Sequence, residues 1–167
     1  LVSGRGSNMS ALLEAARAPE YPVSFVGVLA NVPGAGALEK ARAAGIATAV
    51  IDHRAYKAQG REAFERALDA EIRSLGADFI VLAGFMRLLT PWFVEAWRDR
   101  MINIHPSLLP AYKGLHTHAR ALADGVKLAG CTVHYVRADM DAGPIIGQAA
   151  VPVVADDTPE SLAARVL

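Results

Sequence analysis

Asn103 and His105 stand two residues apart in an apolar run that includes Ile102 and Ile104. On a strand both polar side chains project from one face, and the two isoleucines enter the opposite layer. Pro106 has no N–H to give a sheet ladder, so the strand ends there. A carboxamide and an imidazole therefore sit side by side at the carboxyl end of a strand, where open α/β sheets place their ligands. An imidazole exchanges protons near neutral pH, and a carboxamide hydrogen-bonds a developing oxyanion. That pairing is equipment for acyl transfer. The plainer alternative is a buried polar pair satisfied by neighbouring backbone. The proline-bounded apolar loop Pro106–Pro110, directly after the strand, weighs toward function.

Two further stretches could carry chemistry. In Ser3-Gly4-Arg5-Gly6-Ser7-Asn8 the glycines let backbone approach an anion, and Ser7 or Asn8 is expected to cap a following helix whose amides face outward. This describes a phosphate site, although a ligand-free tight turn has the same spacing. A dinucleotide fingerprint is excluded because Met9 stands where its third glycine belongs, and a Walker loop because Gly-Lys-Ser/Thr is missing. The second stretch holds Asp139 and Asp141 ahead of Gly143-Pro144. Either aspartate can be a turn residue; either, if it reached His105, would favour the imidazolium and orient the ring. His116, His118 and His134 invite a metal reading, but no H-E-x-x-H or cysteine pair supports it, and no metal is expected.

These groups need a scaffold, and the chain alternates as an α/β protein does. Leu1-Val2 reads as a strand stub; Met9, Leu12, Leu13 and Ala16 mark one helical face. A strand is expected over Val23–Ala30, a helix over Leu38–Ala44 closed by Gly45, and a strand over Ile46–Ile51. Phe64, Leu68, Ile72 and Leu75 trace a helix ended by Gly76, and Phe79–Phe85 is a strand covered on both faces. Thr90-Pro91 opens a helix through Trp97, and Ile102–His105 is the fifth strand. A helix near Thr117–Ala123 and strands over Cys131–Arg137 and Ile145–Val153 follow; Thr158-Pro159 starts a last helix. The order implies a single α/β domain over residues 1–167: a Rossmann-like, mostly parallel sheet with helices on both faces, extended by C-terminal antiparallel strands. The chain opens inside a strand and closes inside a helix, so both ends are expected to be trimmed.

Composition narrows the function classes. Seventeen basic and seventeen acidic residues cancel, which argues against a nucleic-acid partner or an acidic membrane surface. The apolar run Phe79–Met86 is too short to cross a bilayer, and no secretory leader opens the chain. The single Cys131 excludes an internal disulfide, so the cytoplasm is the expected compartment.

The motifs Ser3-Gly4-x-Gly6-Ser7-Asn8, Leu82-Ala83-Gly84-Phe85-Met86-Arg87, Asn103-x-His105-Pro106-Ser107-Leu108-Leu109-Pro110 and Asp141-x-Gly143-Pro144-Ile145 occur in this order. In them the chain resembles the glycinamide ribonucleotide formyltransferases, folate-dependent enzymes of de novo purine synthesis. The Asn-x-His-Pro-Ser-Leu-Leu-Pro motif alone marks the wider formyltetrahydrofolate-using superfamily. Where tRNA formyltransferases continue with Arg-Gly-Ala/Ser-x-Pro-Ile and deformylases have His-Ser-Phe-Leu-Pro, this chain reads Tyr112-Lys113-Gly114-Leu115-His116-Thr117-His118 and carries the Ser3–Asn8 loop, and both departures favour the purine enzymes.

The resemblance implies roles that spacing leaves open. It places the nucleotide phosphate on Gly6, Ser7 and Asn8. It borders the folate with Met86, Arg87, Leu88 and Leu89, with Tyr135 to Asp141, and with Arg61. Asn103, His105 and Asp141 match its catalytic trio, which selects Asp141 over Asp139. The implied cosubstrate is 10-formyltetrahydrofolate and the acceptor is glycinamide ribonucleotide, with no metal; a homodimer is compatible with the family. In the family the helix begun at Thr158 runs on into a Gln-x-x-Glu-His segment whose Glu contacts the ribose, beyond Leu167. The alternatives are a formyltetrahydrofolate hydrolase, another 10-formyltetrahydrofolate-dependent transferase, or a plain nucleotide-binding module.

Overall fold

A computed structural model describes all 167 residues. In chain order the elements are α1 (Ser7–Ala15), β1 (Val28–Ala30), α2 (Gly36–Ala43), β2 (Thr48–Val50), a 3-10 turn at His53–Tyr56, α3 (Arg61–Ser74) and β3 (Ile80–Leu82). There follow α4 (Pro91–Ala96), β4 (Met101–His105), α5 (Thr117–Ala123), β5 (Leu128–Tyr135), β6 (Ile145–Pro152) and α6 (Pro159–Val166).

Strands β1 and β2 pair in parallel, as do β3 and β4; β5 and β6 then add antiparallel to β4. The first residues join the two halves. Val2 bridges Ala30 in parallel, while Leu1 bonds through its nitrogen to Val81 O and through its carbonyl to Ala83 N. The lateral order is thus β2-β1-(Leu1–Ser3)-β3-β4-β5-β6, parallel first and antiparallel last.

Alternation along β1 shows how the faces are covered. Leu29 packs with Phe64, Leu68 and Ile72 of α3 and Phe93 and Val94 of α4. Val28 and Ala30, pointing the other way, pack with Met9 of α1 and Ala37, Leu38 and Ala41 of α2. Helices therefore cover both faces, as the alternating pattern predicts.

Boundaries differ from the expectations in a consistent way. The stretch Val23–Gly27 stays outside the ladder, with Val23 and Val26 exposed, so β1 is only its last part. The Phe79–Phe85 run keeps three ladder residues because Phe79 is exposed and Gly84 turns at φ +76°. The caps hold: Thr90 Oγ1 accepts from Phe93 N, and Thr158 forms a capping box with Ser161 ahead of α6. No helix is long and apolar enough to cross a membrane.

Candidate active site

Antiparallel pairing of β4 and β5 sets Asn103 opposite His134 and His105 opposite Thr132, so four polar side chains share one face of the sheet. The Asn103 amide donates to His134 Nε2 at 3.3 Å, and His134 Nδ1–H donates to Tyr135 O at 3.0 Å. These partners fix His134 as the Nδ1 tautomer and turn its acceptor nitrogen to Asn103. The same nitrogen lies 3.8 Å from Asp141 Oδ1. Burial pushes the His134 pKa down, outweighing the opposite pull of the Tyr135 carbonyl and of Asp141. Its ring is therefore neutral at pH 7.

His105 is buried and held between two acceptors. Its Nε2–H donates to Tyr112 O at 3.0 Å, and its Nδ1 stands 3.4 Å from Asp141 Oδ2. The second separation exceeds that of a full-strength hydrogen bond. Asp141 Oδ2 also accepts the Gly114 N–H at 2.8 Å, which ties the Asp141 loop to the loop before α5. Asp141 itself sits at φ +49°. Asp139 is exposed in the same turn and makes no side-chain bond there. The structure thus brings Asp141, and not Asp139, to His105.

The loop after β4 is fastened to the sheet rather than free. Thr132 Oγ1 donates to Ser107 O and accepts from Leu109 N, while Gln148 Nε2 donates to Leu109 O. Ser107 Oγ donates to Ala111 O and more weakly to Tyr112 O, and Arg120 donates to Lys113 O. The loop that carries Tyr112, whose carbonyl accepts the His105 N–H, is therefore fastened by β5, β6 and α5.

The glycine-rich turn differs in detail from expectation. Neither Ser7 nor Asn8 caps α1: Gly6 takes the N-cap position at φ +72°, and no side chain caps the first amides. A Cβ on Gly6 would lie 2.5 Å from Ala37 Cβ, so α2 packs where a capping side chain would grow. The first amides of α1, on Ser7 and Asn8, have no intrahelical acceptor, which suits an anion.

Arg61 and Arg87 meet in a second place. With His53, Tyr56, Lys57, Gly60 and Phe64 they line an open cavity of about 290 Å³. Met86 and Leu88 project into solvent, and Leu89 packs against the core. Tyr135 takes the face of β5 opposite His134 and lies near the Arg137 guanidinium, apart from the histidines and Asn103. His116 is exposed at the start of α5 and His118 is half-buried, and no group of three His, Cys, Asp or Glu side chains gathers as a metal site. His134 is the residue the sequence undervalued. Its signal was the alternation shared with Thr132, which gains meaning only once the β4–β5 register is known.

The formyl transferase family matches residues 1–167. The phosphoribosylglycinamide formyltransferase of Escherichia coli K12 is 46% identical over 166 residues, 99% of this chain and 77% of that protein. The bovine trifunctional purine biosynthetic protein adenosine-3 is 48% identical over 99% of the chain, which spans only 16% of that larger protein. Among solved structures, the phosphoribosylglycinamide formyltransferase of Brucella melitensis is 53% identical with a TM-score of 0.93, covering 99% of this chain and 84% of that one. The glycinamide ribonucleotide transformylase of Symbiobacterium toebii is 45% identical with a TM-score of 0.95, covering 99% and 77%. With its whole length matched and its overall fold shared, the chain belongs to the formyl transferase family, among the phosphoribosylglycinamide formyltransferases.

Proposed function

We propose that the protein transfers the formyl group of 10-formyltetrahydrofolate to the glycyl amine of glycinamide ribonucleotide, a step of de novo purine synthesis. The observation that carries this reading is the convergence of Asn103, His105, His134 and Asp141 at the carboxyl end of β4. The phosphate is assigned to the α1 amides at Gly6, Ser7 and Asn8. The folate is assigned to the edge formed by Met86, Arg87, Leu88 and Leu89, with Arg61, Asn103, Tyr135 and Asp141. The substrates are small molecules, the catalytic residues need no metal, and the proposed compartment is the cytoplasm.

The chemistry follows from the donors. Attack of the amine on the formyl carbon gives a tetrahedral oxyanion. Asn103 has two amide N–H groups; His134 takes one, which leaves the other for that oxygen. His105 Nε2 is committed to Tyr112 O, so the loosely held Nδ1, beside Asp141, is the nitrogen that serves the reacting groups. Asp141 neutralises the imidazolium as the proton moves from the incoming amine to the departing folate nitrogen. C–N bond formation to the acceptor and C–N cleavage from the folate balance without an enzyme-bound acyl group.

The test is the release of folate product from 10-formyltetrahydrofolate, followed by absorbance with and without glycinamide ribonucleotide. Strict dependence on the ribonucleotide is expected. Release with water alone would identify a hydrolase and overturn the proposal.

A further inference from the structure

The segment Met86–Leu89 reaches the core only through Leu89, with Met86 69% and Leu88 59% exposed. Both of its ends are nevertheless held by side chains from elsewhere. At the start, the Met86 N–H donates to Ser3 Oγ at 2.8 Å, and the Ser3 hydroxyl donates onward to Oδ1 of the buried Asn31. At the far end, the Thr90 N–H donates to Glu65 Oε1 at 2.8 Å and the Thr90 hydroxyl donates to Oε2. Glu65 is fully buried on α3, on the helix face that carries Leu68 and Ile72 into the core. Burial opposes its charge and pushes its pKa up, and the two bonds from Thr90 work against that shift. A carboxylate in a position suited to leucine is costly unless it is hydrogen-bonded, and here both bonds go to the residue that ends the exposed segment.

We propose that Glu65 and Ser3 are positioning residues for the cosubstrate. They suspend Met86–Leu89 between two anchors as a stiff edge of the folate cleft, and Ser3, which opens the glycine-rich turn, joins that edge to the phosphate site. This rests on the formyl-transfer reading above. It makes the two substrate sites share one hydrogen-bonded link, Ser3 Oγ, while Glu65 acts on the folate side alone.

The experiment titrates 10-formylfolate against the wild-type chain, Glu65→Leu, Glu65→Gln, Ser3→Ala and Leu68→Ala, with KM and kcat measured in parallel. Glu65→Leu is expected to weaken folate binding by about tenfold or more, the equivalent of a charge-assisted hydrogen bond, with kcat at saturation and the KM for the ribonucleotide little changed. Glu65→Gln restores most of the affinity, because its amide oxygen still accepts the Thr90 N–H and its nitrogen can donate to Thr90 Oγ1. Ser3→Ala weakens both substrates. Leu68→Ala, a core truncation on the same helix, lowers the melting temperature without moving the folate affinity. Should Glu65→Leu fail to fold, Thr90→Val removes one of the same bonds from the other partner and is expected to weaken folate binding as well. The inference is overturned if Glu65→Leu binds folate no more weakly than Leu68→Ala, or if Glu65→Gln restores nothing. A wild-type chain that fails to bind 10-formylfolate at all would instead overturn the formyl-transfer reading on which the inference stands.

Discussion

At the scale of the residue, the arrangement separates a tether from a charge in one side chain. Asp141 Oδ2 accepts the Gly114 N–H and also faces His105 Nδ1. Asp141→Asn keeps an oxygen for Gly114 and removes the negative charge. Turnover should fall by about a hundredfold or more while the dissociation constant for glycinamide ribonucleotide stays within about twofold, as expected for loss of acid–base catalysis rather than of binding. Rapid-quench rates alongside equilibrium titration would check it, and a parallel loss of nucleotide affinity would show that the tether, not the charge, had been broken. Asn103 and His105 were legible from the sequence because a strand period of two and a terminating proline suffice to place them together. The choice between Asp139 and Asp141 was not legible from spacing, since both lie in one turn and only the fold brings one of them to the imidazole. His134 was obscured for a related reason. Its partner Asn103 lies on a different strand, and their contact depends on pairing register.

At the scale of the element, the glycine-rich turn is a packing solution as much as a ligand site. Gly6→Ala would force a side chain into a left-handed conformation with its Cβ 2.5 Å from Ala37 Cβ. Urea unfolding should show a loss of about 1–3 kcal/mol, the usual cost of such strain, together with weaker ribonucleotide binding because α1 and α2 must move apart. Unchanged stability would mean that the turn relaxes freely. Two glycines flanking one residue announced the turn in the sequence. The identity of the cap was hidden because it depends on how closely α2 approaches. Strand lengths were overestimated for a similar reason: Val23–Gly27 has the right residue types for a strand, but no neighbour there offers a ladder.

At the scale of the whole molecule, buried histidines make stability fall in acid. Burial lowers the pKa of both His134 and His118. Each is therefore easier to protonate in the unfolded chain, where the value is about 6.5. Their contribution is complete above that pH and is lost as the pH falls from there through the depressed folded values. The urea midpoint should decline on going from about pH 7 to pH 5, and His118→Gln should flatten part of that decline. A midpoint independent of pH over this interval would contradict the burial argument. The two-faced α/β architecture behind this burial was readable from alternating periodicities. The strand stub at Leu1-Val2 was readable too, but not how slightly it holds the sheet together, since it joins the two halves through only a few bonds.

The central claim is that Asn103 and His105 act on a formyl group in transit to an amine. The most direct measurement is the rate of folate product formation from 10-formyltetrahydrofolate with saturating glycinamide ribonucleotide, in wild type and in Asn103→Ala and His105→Ala. Each substitution is predicted to slow the reaction by roughly a hundred- to a thousandfold, Asn103→Ala through loss of an oxyanion donor and His105→Ala through loss of acid–base catalysis, with ribonucleotide binding retained. A near-normal rate in either variant would contradict the account.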